Sequence, residues 1–313
     1  MTRHSSRREF LRRAALASAA AASGRAGVFS ASDAQAIEPI RRETAEPKYR
    51  LTLAGYSYRT LLTGQNPVCT LDDFVKDCAK FGLDGTEPTS YYFPQPVTRE
   101  YLCRLKALAF RLGLSISSTA VGNNFSLPPG EARDRQIASV KQWIDHAAVL
   151  GAPVIRIYSG NVGKNQTAEE ALRLSVEAIE ACCEYAGTHG IFLGLENHGG
   201  LTSTADAMLE IVRAVKSPWF GVWMDTGNFH EDVYRELEKV APYTIHVQVK
   251  VVTSSAGEGR KPADYQRLAK ILGNVGYRGW ICLEYEEPED PRIACPRHIA
   301  QLREAFCGQR ERL

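Results

Sequence analysis

Long apolar runs are missing from this 313-residue chain; no window holds the roughly 20 consecutive apolar residues that a membrane-spanning helix requires. The eight cysteines include no CxxC or CxxxC pair, which argues against zinc-knuckle and iron–sulfur ligation. No G-x-G-x-x-G follows a first strand and no G-x-x-x-x-G-K-[ST] occurs, so a Rossmann fold or a P-loop has little support. There is no internal repeat, long internal linker or coiled-coil heptad. A large charge of either sign is absent too: 38 basic residues face 36 acidic ones. Six of those bases and two of the acids fall in residues 1–36, so the remainder carries a formal −2. That balance gives no warrant for a nucleic-acid surface.

What is present begins with an address. Ser6-Arg7-Arg8-Glu9-Phe10-Leu11 opens an Ala-rich, weakly apolar stretch that ends at Ala34-Gln35-Ala36. It resembles a twin-arginine export signal with a small-residue cleavage site after Ala36. Arg25 and neighbouring polar residues interrupt it, which disfavours a membrane anchor. The expectation is therefore export through the twin-arginine machinery to the periplasm, without stable membrane insertion. Residues 37–49 are polar and irregular, read as a flexible N-terminal segment, and residues 50–307 as one domain. Cys78, Cys182 and Cys282 sit in helix or strand patterns where a buried thiol is ordinary.

After residue 49, short apolar runs alternate with amphipathic ones. Strands are expected at 51–55, 83–86, 114–119, 153–158, 191–196, 220–225, 244–249 and 280–284. Helices are expected near 71–81, 99–112, 132–150, 167–189, 204–215, 230–239, 262–273 and 297–306. Thr70 before Leu71-Asp72-Asp73 marks a helix start, and Gly82, Gly113, Gly151 and Gly190 stand where helices should end. Near-continuous apolar strands are those of a buried parallel sheet. Eight β/α units in one domain predict a closed (β/α)8 TIM barrel. Gly257-Glu258-Gly259, after the seventh strand, reads as a tight turn rather than a phosphate cradle.

Such barrels put their chemistry at the C-terminal ends of the strands. Glu196, Asp225 and Glu284 each end one. Like charges gathered at one mouth repel unless a cation sits between them, so the three together point to a divalent metal. On the seventh strand, alternation puts His246, Gln248 and Lys250 on one face, and either His246 or Gln248 could complete the shell. An oxygen-rich set with one nitrogen or amide suits Mn²⁺ or Mg²⁺, with Co²⁺ or Zn²⁺ as further candidates. His198, Glu87, Arg156, His246 and Lys250 are candidate substrate-binding groups, with Arg156 placed to pair with Glu87. Tyr91, Tyr92 and Phe93 could wall a sugar ring, whereas the four tryptophans read as packing.

Leu195-Glu196-Asn197-His198, Met224-Asp225-Thr226-Gly227-Asn228, His246-Val247-Gln248-Val249-Lys250 and Leu283-Glu284-Tyr285-Glu286 resemble the xylose isomerase-like barrels, in particular the sugar phosphate isomerase/epimerase group. The resemblance covers about residues 50 to 307. It implies one divalent metal on Glu196, Asp225, Glu284 and a strand-seven residue. The common strand-seven pattern H-x-H-x-K-D would put Gln248 at the ligand position and His246 at the preceding one. A His often found three residues after the strand-six Asp is Asn228 here. The resemblance implies an isomerase or epimerase of a sugar or cyclitol, with Glu196 and Glu284 moving the proton beside a carbonyl held by the metal. The two departures keep open a lyase or dehydratase acting on a keto-sugar, 3-keto-glycoside or inosose. A carbohydrate-binding protein without catalysis is the non-enzyme alternative. Oligomeric state is not legible, although outer helices of such barrels offer surfaces for homo-oligomers.

Overall fold

Thr70 begins the first full helix in the way its sequence predicts. Its hydroxyl accepts the Asp73 backbone N–H while the Asp73 carboxylate accepts the Thr70 backbone N–H, a reciprocal capping box. Helix α1, Leu71–Lys80, then buries Leu71, Phe74, Val75 and Cys78, the i, i+3, i+4, i+7 stripe of an amphipathic helix. Phe74 meets the ring of Tyr58 edge-on at 5.2 Å between centroids.

The computed structural model describes residues 37–42 and 48–308; the expected export signal over 1–36 lies outside the described residues. Within residues 37–42, Ile40 N donates to the Pro242 carbonyl and Arg42 Nη2 to that of Thr244. Among the described residues there are eleven strands: β1 Lys48–Leu53, β2 Gly85–Thr86, β3 Ser115–Ile116, β4 Thr119–Ala120, β5 Val154–Ile157, β6 Phe192–Glu196, β7 Phe220–Asp225, β8 Thr244–Lys250, β9 Val252–Ser255, β10 Gly259–Pro262 and β11 Arg278–Glu284. The helices after α1 are α2 Arg99–Arg111, α3 Glu131–Leu150, α4 Ala168–Thr188, α5 Ala205–Ala214, α6 Val233–Val240, α7 Tyr265–Asn274 and α8 Pro291–Cys307.

A seven-stranded sheet runs β1-β11-β8-β7-β6-β5-β4, with all neighbouring strands parallel. The pair β2-β3 closes the ring. Asp84 N and Glu87 N donate to the Leu51 and Leu53 carbonyls on one side, and Ser115–Ala120 continues from β3 into β4 on the other. The third expected strand is thus split at Ser117 and Ser118, whose hydroxyls turn inward to each other and to Glu87. This is a single α/β barrel of the expected class. Outward-facing Val222, Met224, Val247 and Val249 bury against the helices, each removal from water worth on the order of 1.5–3 kcal/mol.

Two further regions differ from the sequence reading. Helix α8 starts at Pro291, six residues before position 297, because Asp290 caps it and a proline at the first helical position loses no hydrogen bond. Pro296 lies inside it rather than ending the chain before it. The region before α7 holds an antiparallel hairpin, β9–β10, with Gly257 and Gly259 in left-handed backbone at its turn. The four helix-ending glycines, Gly82, Gly113, Gly151 and Gly190, likewise have φ between 66° and 87°. No helix among the described residues is long and apolar enough to cross a membrane.

Candidate active site

The ends of β6, β7, β8 and β11 open at one mouth of the barrel. Asn197 ties the first two together: its side-chain amide donates to the Asp225 carbonyl and accepts the Asp225 backbone N–H. The ends of these two neighbouring strands are thereby held in one layer.

Glu196 is 4% exposed and faces two partners. Arg156 Nε lies 2.9 Å from its Oε2, an ion pair rather than an aligned hydrogen bond, and Asn228 Nδ2 donates to Oε1 at 3.0 Å. Arg156 is itself fastened: Nη1 donates to the Val121 carbonyl, Nη2 to Tyr91 Oη, and the guanidinium lies 4.0 Å over the Tyr158 ring. The pairing of Arg156 with Glu87 expected from the sequence does not occur, because Arg156 reaches across to β6. Of the three loop aromatics Tyr91 is exposed and Tyr92 half-buried, whereas Phe93 packs on Trp143 in the core. His198 packs its ring on Tyr158 at 4.6 Å, and its backbone N–H donates to Thr202. Loss of solvent there, then nearby Arg156, hold its imidazole below the usual histidine range.

On the opposite side Lys250 gathers three carboxylates. Its Nζ bonds Glu284, lies 2.9 Å from Glu286 and 3.4 Å from Asp225 Oδ2. Asp225 Oδ1 accepts the Gly227 N–H at 2.8 Å, whereas Oδ2 has no hydrogen-bond partner. Burial raises all three strand-end acids. Glu196 reaches about 8 despite Arg156, with Asp225 and Glu284 adding repulsion, and Glu284 reaches about 7 despite Lys250. Asp225 is also raised, with Lys250 opposing. Burial disfavours the Lys250 ammonium, but Asp225, Glu284 and Glu286 outweigh it and hold the group well above the usual lysine range.

Gln248 Oε1 accepts the Trp223 indole N–H at 2.6 Å, which leaves its second lone pair free. His246 stacks on the same indole, 3.8 Å between centroids. Two positions deeper in β8, it joins Glu87 and Cys282 in a sealed group. Glu87 Oε2 accepts Ser118 Oγ at 2.6 Å and Cys282 Sγ at 3.5 Å and lies 3.3 Å from His246 Nε2. His246 is 0% exposed and Glu87 1%, and neither lines the cavity beside Glu284 and Glu286. Trp223, taken for packing, turns out to link this layer to the mouth. It stands two residues before Asp225 on the same face, the one signal that alternation offered.

Two groups bear on metal binding. Glu87, His246 and Cys282 have ligand atoms all within 4.8 Å, the single such group of three among the described residues, and could coordinate a divalent ion. The Cys282 thiol is pushed well above its usual range by burial and then by Glu87, so an ion there would have to displace a tightly held proton. At the mouth, Glu196, Asp225, Glu284 and Glu286 set four carboxylates against the cations of Arg156 and Lys250, a formal surplus of two negative charges. Asp225 Oδ2, which has no hydrogen bond and only the Lys250 ion pair, and the raised acids fit a divalent cation with oxygen ligands in charge and donor type. A cavity of about 270 Å³ opens beside them, lined by Asn228, Lys250, Thr253, Arg260, Glu284 and Glu286 among others. A larger hollow of about 830 Å³, lined by Arg50, Arg99, Lys106, Phe110 and Trp280 among others, contains no carboxylate or imidazole and is set apart from this chemistry.

A family model described as "Xylose isomerase-like TIM barrel" matches residues 75–304. An inosose dehydratase of Erwinia tasmaniensis is 24% identical over 269 residues, covering 74% of this chain and 87% of its own. The solved D-psicose 3-epimerase of Clostridium cellulolyticum superposes with a TM-score of 0.68 at 17% identity, over 82% of this chain and 99% of that one. A 3-keto-D-glucoside 4-epimerase from E. coli gives a TM-score of 0.64 at 15% identity, over 82% and 99%. At these identities the solved structures speak for the fold alone.

Proposed function

The chain belongs to the xylose isomerase-like TIM barrel family, and from that premise we propose that it is a divalent-metal-dependent isomerase or epimerase of a sugar or cyclitol. The observation that carries the reading is the surplus of two negative charges among Glu196, Asp225, Glu284 and Glu286 at a solvent-open mouth. Glu196, Asp225, Glu284 and Gln248 would hold the ion, Mn²⁺ in the first instance. The sealed Glu87, His246 and Cys282 group is the poorer catalytic centre, since Glu284 and Glu286 line the open cavity and these three do not. A divalent ion supplies Lewis acidity toward a carbonyl and its neighbouring hydroxyl.

The protein's own groups do the rest. Glu196 and Glu284 approach from opposite sides of the mouth and, with acidities raised toward neutrality, are suited to take and return a proton beside a carbonyl. Return to the other face epimerises; return to the other carbon isomerises. Lys250 and His198 are proposed to bind substrate hydroxyls, Arg156 to hold Glu196 in place, and Tyr91 to wall the opening. The family's members named above act on a keto-sugar or cyclitol, which is consistent with this polar lining.

A lyase or dehydratase acting on a keto-sugar, 3-keto-glycoside or inosose is the second reading. Asn228 favours it: Asn228 donates to one oxygen of Glu196 while Arg156 pairs with the other, and both contacts favour the charged carboxylate over the protonated one that would return a proton. Elimination needs only one mobile base, and Glu284 would serve. Export of the folded protein through the twin-arginine route, if residues 1–36 act as read, would present it with unphosphorylated substrates in the periplasm.

The test is incubation of Mn²⁺-loaded protein with ketoses, inososes and 3-keto-glycosides in D₂O. Solvent deuterium at the carbon beside the carbonyl with a rearranged sugar supports the isomerase or epimerase. Loss of water or an aglycone supports the lyase, and binding without exchange or turnover leaves a carbohydrate-binding protein.

A further inference from the structure

A lysine with three carboxylate partners on one buried ammonium calls for an account of what it does when a metal is present. Lys250 is 8% exposed, and its backbone N–H donates to Thr226 Oγ1 at 3.0 Å. Gly227 makes room for its stem: a Cβ there would lie 2.5 Å from Lys250 Cγ. Backbone and stem are thus set by the neighbouring β7 end, and only the last bonds of the side chain are free to swing. The ammonium sits among Asp225, Glu284 and Glu286, two of which are the acids proposed above to hold the ion. As they stand, Glu196, Asp225 and Glu284 do not form a three-residue group with all ligand atoms within 4.8 Å. Glu286 differs from the others: it is 41% exposed and stands at the rim of the cavity.

We propose that the Lys250 ammonium and a divalent ion are alternative occupants of the Asp225–Glu284 cleft, with Glu286 as the anchor to which the ammonium withdraws when the ion enters. The proposal rests on the metal-dependent reading of this mouth. The electrostatic reason is direct: two cations cannot share two buried carboxylates at ion-pair range without strong repulsion, whereas an ammonium at Glu286 is still paired. Lys250 therefore neutralises the acids in the metal-free protein, and in the loaded protein it stands at the rim, pointed at the substrate cavity.

The two variants Lys250→Met and Glu286→Gln should shift Mn²⁺ affinity in opposite directions. Removal of the competing ammonium is expected to tighten Mn²⁺ binding to the purified full chain at least tenfold. In EDTA the same variant should melt at a lower temperature than the unaltered protein and regain the difference on Mn²⁺ addition. Glu286→Gln keeps the competitor but removes its retreat, and should weaken Mn²⁺ binding by a similar factor. Affinity is read by titration calorimetry at constant pH and melting by circular dichroism, independently of turnover. Mn²⁺ binding by the unaltered protein that neither variant shifts, or that Lys250→Met weakens, overturns the proposal while leaving the metal-dependent reading intact. Failure of all three proteins to bind Mn²⁺, Mg²⁺, Co²⁺ or Zn²⁺ would overturn both. Should Lys250→Met not fold, the Glu286→Gln measurement decides the matter by itself.

Discussion

Arg156 Nε lies 2.9 Å from Glu196 Oε2 with both side chains less than a tenth exposed, so the acid proposed to move a proton is held by a buried cation from the neighbouring strand. The pair is fastened on its basic side by Val121, Tyr91 and the Tyr158 ring. Removing one partner of such a pair leaves the other charged and desolvated.

Arg156→Met should accordingly destabilise the fold by about 3–5 kcal/mol in urea unfolding. Adding Glu196→Gln to it should recover more than half of that loss, since the orphaned charge is gone. Equal losses in the single and double variants would show that Arg156 contributes by packing rather than by pairing.

Glu196→Gln and Glu284→Gln separate the two readings of the reaction. For an epimerase, each should lower turnover by about 10²–10⁴-fold while circular dichroism stays unchanged. For a lyase, the loss should fall mainly on Glu284→Gln. Turnover retained in both variants would remove these acids from the proton path.

Treatment with EDTA should abolish turnover, and Mn²⁺ should restore it at higher levels than Ca²⁺, whose preference for more ligands and longer bonds suits this small set poorly. Activity that persists in EDTA-dialysed protein with no metal detected by mass spectrometry would contradict the proposed chemistry.

Trp223→Phe keeps a ring against His246 but removes the donor to Gln248 Oε1. A buried acceptor left without its partner costs about 1–3 kcal/mol. If Gln248 is a ligand, loss of the group that orients it should also weaken Mn²⁺ binding by about 10–100-fold. Unchanged Mn²⁺ affinity, measured by calorimetry, would take Gln248 out of the proposed shell.

Thr70→Ala removes the α1 cap and should cost about 1 kcal/mol at pH 7. The Asp73 carboxyl is held below its usual range by the Thr70 hydroxyl, then by Lys76. A depressed acid stabilises the fold above its unfolded-state pKa and loses that contribution as pH falls through its folded-state value. The gap between the variant and the unaltered protein should therefore be full at neutral pH and narrow on acidification below about pH 4. A gap independent of pH would mean that Asp73 takes no part in the cap.

Local rules carried most of the fold. Period-two runs, helix caps and helix-ending glycines are short-range consequences of backbone geometry, and α1 with Thr70 and Gly82 reads directly from them. Helix α8 begins six residues before the expected 297 because Asp290 and Pro291 together make an earlier start, and Pro296 is accommodated within the helix. The β9–β10 hairpin escaped because Gly259-Arg260-Lys261-Pro262 has no apolar alternation: all four residues are exposed. At the site, strand-end position marked Glu196, Asp225 and Glu284, but Trp223 and Asn228 acquire their roles only through partners on other strands.

By itself the sequence determined which side chains share a face. His246, Gln248 and Lys250 had to point the same way, since alternate residues of a strand do, and Glu196, Asp225 and Glu284 had to fall where strands end. Which of them touch was decided by the closed barrel. Closure brings Cys282 to Glu87, 195 residues away, and carries the Lys250 ammonium to Asp225 and Glu284 while Arg156 crosses to Glu196 rather than to Glu87. Those contacts depend on stagger and curvature between strands, long-range quantities that no local residue pattern encodes.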